Sequence, residues 1–115
     1  MDDSTALYDR GHVVWHDGLF TLSARPWLVL SDDTHPFHGE EYLVAGLTTT
    51  QRASAIHLAD EDWVVGGLPR TSYVSPWVLT TLKHADIDRG IGMVGEDVFR
   101  TVARHVSAYT GGTEP

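Results

Sequence analysis

Short apolar runs separated by turn residues recur along the first 94 residues of this chain. Most runs are three to seven residues long and are bounded by Gly, Pro, Asp or Ser. Runs of this length and flanking composition predict strands rather than helices. The predicted strands are residues 11–15, 26–31, 42–48, 54–58, 72–74, 78–82 and 90–94.

The segments between these runs have the composition of turns and loops. We interpret 16–18 as a turn, 31–39 as a loop and 60–69 as a long connection. Residues 19–22 are a connecting loop or a short strand, and 83–89 are a turn or a single helical turn. Ser75 and Pro76 separate the two predicted strands on either side of them.

The hydrophobic period changes at Glu96. From there the apolar residues follow the three-or-four spacing of an amphipathic helix. Glu96 and Asp97 fall in its first turn, where the helix dipole favours acids, and Gly111 and Gly112 end it. Several short strands followed by one helix predict a mainly β (α+β) fold, a small antiparallel barrel or half-barrel with a C-terminal α-helix.

The length of 115 residues suits one domain with one core. We expect a flexible arm over 1–10, a single domain over 11–110 and a tail over 111–115. No apolar run is long enough to span a bilayer, and the acidic N-terminus lacks a signal-peptide pattern. The chain has no cysteine, which excludes disulfides and thiolate metal sites. These features predict a soluble cytoplasmic protein.

Acidic residues outnumber basic ones 16 to 8, so the formal net charge is −8. Lys83 is the single lysine, and every other basic residue is arginine. An acidic, lysine-poor chain with an ordinary apolar share is typical of the cytoplasm of a halophile, where salt screens surface repulsion. The alternative is a mesophilic protein that is simply acidic. The scarcity of lysine favours the halophile.

The most distinctive local pattern is an arginine and a proline directly before the apolar run at 26–31. Proline is tolerated at the first position of a strand, so Arg25 should lie at the mouth of a central strand. Thr48 ends the next predicted strand. If the two strands are antiparallel neighbours, guanidinium and hydroxyl meet at one end of the sheet, where both can bind a phosphate. The alternatives are that Arg25 pairs with a nearby acid and that Thr48 only favours strand geometry.

The histidines give no convincing metal site. His35 and His38 flank a proline that denies them a helix face, and no cysteine is present to complete a tetrahedral set. We therefore predict no metal and no cofactor. His16 is the better candidate for proton transfer, because it precedes the Arg25 strand and histidine titrates near neutrality. The alternative is an ordinary exposed histidine in a turn.

The four tryptophans divide into two pairs. Trp15 and Trp27 lie within apolar runs and are expected in the core. Trp63 and Trp77 lie in or beside segments flanked by Gly and Pro, which indicates surface positions. Exposed tryptophans there could stack on single-stranded bases or, with Leu68 and Val78, form a dimer contact.

Several segments, in this order, resemble the MazF/PemK family of toxins from type II toxin–antitoxin systems. Residues 11–15 are similar to the family's opening glycine and first strand, and 25–32 to its Arg-Pro strand. Residues 43–48 are similar to the strand that ends in Thr or Ser. The stretch from 72 to the acid-capped helix resembles the remainder of the family.

The resemblance implies an SH3-like antiparallel β-barrel that works as a homodimer and is neutralised by an antitoxin. It implies metal-independent cleavage of single-stranded RNA, often mRNA, by attack of the 2′-hydroxyl. Arg25 and Thr48 are the catalytic residues that it carries over, with His16 as the added candidate. We expect RNA-binding contacts from Thr49, Gln51 and Trp77.

Two segments depart from the family pattern. The stretch 17–22 is shorter than the family's loop before Arg-Pro and lacks its Glu and Gln. Residues 75–77 stand where the PemK branch has an Arg and an Asp. Two other functions therefore stay open at this point: a non-catalytic protein-binding module with the same barrel, and a gyrase inhibitor similar to CcdB.

Overall fold

The computed structural model describes residues 7–18 and 24–112. Seven strands and one α-helix account for most of them. The strands are β1 His12–His16, β2 Arg25–Val29, β3 Glu41–Thr48, β4 Ile56–Leu58, β5 Trp63–Gly66, β6 Ser72–Lys83 and β7 Arg89–Val94, followed by helix α1 Glu96–Tyr109. Two short 3₁₀ turns, Asp60–Asp62 and His84–Asp86, lie between strands.

The strands form one antiparallel sheet in the order β4-β6-β3-β2-β1-β7-β5, which curls into a nearly closed barrel. β2 is the middle strand and pairs with β1 on one side and β3 on the other. The helix packs against β6 and β4. This arrangement confirms the predicted fold class, a mainly β, SH3-like barrel with a C-terminal helix.

One strand was not predicted. Residues 60–69 were interpreted as a connection, but Trp63–Gly66 forms β5, an edge strand paired with β7. Gly92 on β7 explains how β5 approaches so closely, because a Cβ at Gly92 would collide with the carbonyl oxygen of Val65. The predicted connection was wrong because this pairing depends on a distant glycine and not on the local pattern.

The predicted break at Ser75 and Pro76 was also wrong. β6 is one strand of 12 residues, with Ser75 opposite Gly46 and Leu79 opposite Ala45. Residues 76–78 therefore have no partners on β3 and form a bulge. A bulge is one of the few places where a strand accommodates proline.

Two apolar clusters lie on opposite faces of the central strands. The cluster under the helix consists of Val13, Leu28, Ala45, Leu47, Leu58, Val74, Val94, Val98, Phe99 and Val102. The second cluster consists of Val14, Trp27, Val29, Tyr42, Val44 and Leu82. The alternation along β1, β2 and β3 explains this division, because successive residues of a strand point to opposite faces.

Tyr42 ties the N-terminal segment to the second cluster. Its hydroxyl accepts a hydrogen bond from the Tyr8 amide at 3.2 Å and is hydrogen-bonded to Nδ1 of His84 at 2.8 Å. Burial raises the pKa of the Tyr42 hydroxyl. The rest of the predicted arm, residues 1–6, and the end of the predicted tail, 113–115, lie outside the described residues. So does the segment 19–22, and the domain boundaries stay predictions.

No helix in the described part of the chain is both long and apolar enough to cross a membrane.

Candidate functional site

Three of the predicted residues form a row across the three central strands. His16 on β1 lies directly opposite Arg25 on β2. Trp27 lies opposite Gly46, and the same register continued by two residues sets Arg25 opposite Thr48 on β3. Residues directly opposite each other in an antiparallel pair have side chains on the same face, with Cβ atoms about 5 Å apart. The expected neighbourhood of Arg25 and Thr48 is therefore present.

The Arg25 side chain is held over Gly46 and Trp27. A Cβ at Gly46 would lie 3.1 Å from Nη1 of Arg25, so the glycine leaves the space that the guanidinium occupies. The guanidinium carbon is 5.7 Å from the centre of the Trp27 ring, which is a cation–π distance. Within residues 7–18 and 24–112, the ion pairs join other arginines to Glu96, and none includes Arg25. The described residues thus give no support to the alternative of a simple ion pair.

Thr48 is half-buried at the end of β3. Its hydroxyl oxygen accepts a hydrogen bond from the Thr50 amide at 3.1 Å. This contact orients the hydroxyl and leaves its proton available for donation, since a hydroxyl both donates and accepts. Thr48 therefore has a specific local geometry in addition to a favourable strand propensity.

The position of His16 differs from the one predicted. It was placed in a turn, but it is the last residue of β1 and only 3% exposed, because it pairs with Arg25 inside the sheet. The alternative of an exposed turn histidine is therefore also wrong. Its Nδ1 accepts a hydrogen bond from the Gly18 amide at 2.9 Å. In the neutral ring this assigns the proton to Nε2, so the free nitrogen of His16 is a donor.

A groove of about 430 Å³ opens at this end of the barrel, and we name it the first groove. Arg25, Thr48 and Thr49 line it, whereas His16, Gln51 and Trp77 do not. Its complete lining is Trp15, Ala24, Arg25, Pro26, Leu47, Thr48, Thr49, Leu68, Pro69, Arg70 and Ser72. The predicted phosphate-binding pair therefore shares one concave surface with one of the three predicted RNA-binding residues.

Sequence reasoning missed Arg70. It is exposed and lines the first groove, and no ion pair holds it among the residues that the structure describes. The available signal was its position as the single arginine in the Gly- and Pro-containing stretch 66–71. An exposed cation in such a loop is a common feature of anion-binding surfaces.

Trp15 was expected in the core but is half-buried and lines the first groove. Its Nε1 donates a hydrogen bond to Oδ1 of Asp17 at 2.6 Å, and the Arg89 guanidinium lies 5.3 Å from the ring centre. Trp15 therefore adds an aromatic surface to the wall of the groove. The prediction of a buried core position was correct for Trp27, which is 2% exposed.

Gln51 and Trp77 lie outside the first groove. Gln51 is exposed just after β3. Trp77 lies in the β6 bulge, and the Arg52 guanidinium is 5.3 Å from its ring centre. The pair of Trp77 and Arg52 forms an exposed stack of cation and aromatic ring, the type of surface on which single-stranded bases stack.

The other residues predicted for a dimer contact are less exposed than expected. Trp63 and Leu68 pack, partly buried, against the cluster under the helix, and Val78 packs against the second cluster. Trp63 lies at the start of β5 and not in a loop. In the part of the chain that the structure describes, no three His, Asp or Glu side chains converge as a metal-binding group.

No protein-family model and no curated protein sequence matches the chain. Solved structures do match it in fold. An endoribonuclease from a mycobacterial species in complex with its cognate antitoxin has a TM-score of 0.73 and 22% identity, covering 95% of this chain and 98% of that one. A second mycobacterial endoribonuclease has a TM-score of 0.69 and 25% identity over 96% and 98% of the two chains. MazF in a MazE–MazF complex from Deinococcus radiodurans has a TM-score of 0.76 and 18% identity over 94% and 100%.

These similarities extend over nearly the whole of each chain. The chain therefore has the fold of the MazF endoribonucleases. This is the fold that the resemblance of residues 25–32 and 43–48 implied.

Proposed function

We propose that this protein is a metal-independent endoribonuclease toxin that cleaves single-stranded RNA, including mRNA. The observation that supports it best is the placement of Arg25 and Thr48 on neighbouring antiparallel strands and in the wall of one groove. The names of the structural neighbours agree with it, since they include endoribonucleases and MazF.

In the proposed reaction, the 2′-oxygen of a ribose attacks the adjacent phosphorus and the bond to the 5′-oxygen breaks. The products are a 2′,3′-cyclic phosphate and a 5′-hydroxyl. The proton of the 2′-hydroxyl leaves to a base, and the departing 5′-oxygen receives one. Arg25 stabilises the charge that develops on the phosphate oxygens, and Thr48 donates a hydrogen bond to one of them.

His16 lies beside Arg25 but outside the wall of the first groove. Its buried ring is therefore better placed to support the Arg25 side chain than to contact the substrate directly. With Nδ1 accepting from the Gly18 amide, the neutral ring has its proton on Nε2 and can donate a hydrogen bond, so it has no free nitrogen to act as a base. We expect a smaller effect from its removal than from removal of Arg25.

The RNA strand extends from the first groove over Thr49, with Gln51 and the stack of Trp77 and Arg52 as further contacts. A ring stacked under a guanidinium binds bases with little sequence preference. The proposed partners are an antitoxin, as in the neighbouring complexes, and a second copy of the chain. A cytoplasmic location and a halophilic source stay predictions from composition.

The test uses a pool of single-stranded RNA in EDTA and high salt, with the ends of the products identified. We expect wild-type protein to yield 2′,3′-cyclic phosphate and 5′-hydroxyl ends. Thr48→Ala should reduce the rate about 10²-fold or more, as expected for loss of one oxyanion donor, with little change in melting temperature. His16→Gln should reduce it less.

The control is Thr101→Ala, which removes a threonine hydroxyl from helix α1. This helix contributes no residue to the first groove. Wild-type protein that cuts no RNA in the pool, or cuts only with added divalent metal, would overturn the proposal. A protein that binds an antitoxin-like partner but cuts nothing would instead support the non-catalytic binding module.

A further inference from the structure

A second groove lies next to the first and shares a wall with it. Four residues, Leu68, Pro69, Arg70 and Ser72, line both grooves. The other lining residues are His57, Leu58, Ala59, Asp60, Trp63 and Thr71, and we name this surface the side groove. Its volume of about 330 Å³ falls at the small end of the range for ligand pockets.

The side groove has a mainly polar lining that includes the aromatic side chain of Trp63. Leu58 and Ser72 are buried and Trp63 is half-buried, while Asp60 and Arg70 are exposed. The Ser72 hydroxyl donates to the Arg70 carbonyl oxygen at 2.8 Å, which anchors the shared wall. A half-buried aromatic ring beside charged groups suits a flat, polar ligand ring more than an aliphatic side chain.

Asp60 and Arg70 have opposite charges and line the same groove without pairing. No ion pair within 4.0 Å joins them to each other or to another residue of the described ranges. The Asp60 carboxylate has no hydrogen bond in that part of the chain, unlike Asp62, whose carboxylate accepts from the Ala59 amide at 2.8 Å. The side groove therefore contains a cation, Arg70, and a hydrogen-bond acceptor, Asp60, whose side chains have no ion-pair partner among the described residues.

We propose that the side groove binds the nucleotide adjacent to the scissile phosphate, which rests on the proposed function. Arg70 binds the phosphate of that nucleotide, because its position in the wall of both grooves connects the two along one RNA strand. Asp60 accepts hydrogen bonds from the base, and Trp63 contacts the base plane. A carboxylate only accepts, so it selects the base whose Watson–Crick edge has two adjacent N–H donors, which is guanine.

A binding experiment tests the base preference without catalysis. Guanosine 3′-monophosphate and uridine 3′-monophosphate are titrated separately into the protein, and the indole N–H of Trp63 is followed by NMR. We expect saturable shifts with the guanosine nucleotide and at least about tenfold weaker binding of it by Asp60→Asn, since a hydrogen bond to a charged group is lost. Glu61→Gln is the matched control, because it removes the same charge from the neighbouring exposed residue outside the groove.

Equal binding of the two nucleotides, or wild-type affinity in Asp60→Asn, would overturn the base assignment. Shifts with neither nucleotide would overturn the site itself and favour a protein partner for this groove.

A cleavage experiment tests the position of the nucleotide. Wild-type protein cuts a random RNA pool, and the ends of the products are sequenced. We expect guanine to be enriched at one position flanking the cut, and Asp60→Asn to lose that enrichment. Arg70→Ala should lower kcat/KM about tenfold on a long RNA and much less on a dinucleotide, with Arg104→Ala as the arginine control on helix α1.

The two experiments distinguish failure of the base assignment from failure of the proposed reaction. Cleavage without guanine enrichment at either flanking position overturns this inference and leaves the endoribonuclease intact. Guanosine-selective binding without any cleavage supports the side groove as a nucleotide site and removes the proposed reaction.

Discussion

Arginines in two regions of this molecule have opposite surroundings. At the start of helix α1, Arg10 and Arg100 both contact the Glu96 carboxylate, at 3.0 and 3.5 Å. In the first groove, Arg25 and Arg70 have no carboxylate partner among the described residues. The chain has twice as many acids as bases, so acidic partners are not scarce. The remaining arginines also lack an ion pair within the described residues, so Arg25 and Arg70 differ from them in lining the first groove.

The difference indicates which arginines are available for a ligand. The guanidinium of Arg25 lies against Trp27 and above Gly46, which restricts its orientation without using its hydrogen-bond donors. A guanidinium held in this way can bind a phosphate with two donors. The arginines on Glu96 have already formed their pairs, and as exposed pairs they contribute little to stability.

The largest expected effect on RNA cleavage comes from replacing one arginine of each region by alanine. Arg25→Ala should reduce RNA cleavage about 10²–10³-fold, because it removes a donor that stabilises the transition state. Arg100→Ala should cleave at the wild-type rate. Both variants should melt within a few degrees of wild type, as measured by circular dichroism. An Arg25→Ala protein that cuts as fast as wild type would show that Arg25 has no catalytic role.

Gly46 tests whether the position of the Arg25 side chain matters as well as its charge. In Gly46→Ala the new methyl group would lie 3.1 Å from Nη1 of Arg25 and 3.1 Å from Cγ1 of Val78. Both contacts are tight, so the guanidinium must shift. We expect cleavage to fall about tenfold, a moderate cost for displacing a catalytic group.

The control for Gly46→Ala is the same change in an Arg25→Ala background. There the methyl group has no guanidinium to displace, so the additional loss should disappear. An equal loss in both backgrounds would mean that Gly46→Ala acts through the fold, which the melting temperature would then also register.

Salt concentration tests how the net charge of −8 and the arginines of the first groove together affect RNA binding. At molar KCl the Debye length falls to about 3 Å, so repulsion between the acidic surface and RNA is nearly screened. We expect the melting temperature and the RNA affinity both to hold or improve as KCl rises toward molar concentration. Thermal melts and fluorescence anisotropy over the same salt series measure the two quantities. A steep fall in affinity would mean that counterion release at the groove arginines dominates binding.

The smallest effect is expected from Glu96→Gln, which removes the shared carboxylate of the paired region. Each of its two exposed ion pairs contributes at most about 1 kcal/mol, so the free energy of unfolding should fall by no more than about 2 kcal/mol. RNA cleavage should not change. Urea denaturation gives the first quantity and the EDTA assay the second, and a loss of cleavage would contradict the separation of the two regions.

Much of the fold was predictable because it depends on local periodicity. The strands around Val13, Leu28 and Val44 are short apolar runs that are buried on both faces, and the helix from Glu96 has the spacing of a helix with one buried face. β5 was not predictable, since its pairing depends on the missing side chain of Gly92. A strand at the edge of a sheet obtains its order from its partner and not from its own sequence.

The candidate site shows the same division. Arg25 and Thr48 were expected together because antiparallel pairing sets the start of one strand beside the end of the next. The burial of His16 was missed, since the same local sequence suits an exposed turn. Arg70 was missed because its neighbours in the groove come from distant strands.

The sequence alone thus determined most of the strand and helix types and the excess of acid, since each follows from composition or from spacing along the chain. It predicted the neighbourhood of Arg25 and Thr48 only on the condition that their strands pair. Only the tertiary structure decided that His16 is buried beside Arg25 and that Arg70 lies between two grooves. These features depend on which distant strands meet across the barrel. That choice is set by packing of the whole core, which no single segment encodes.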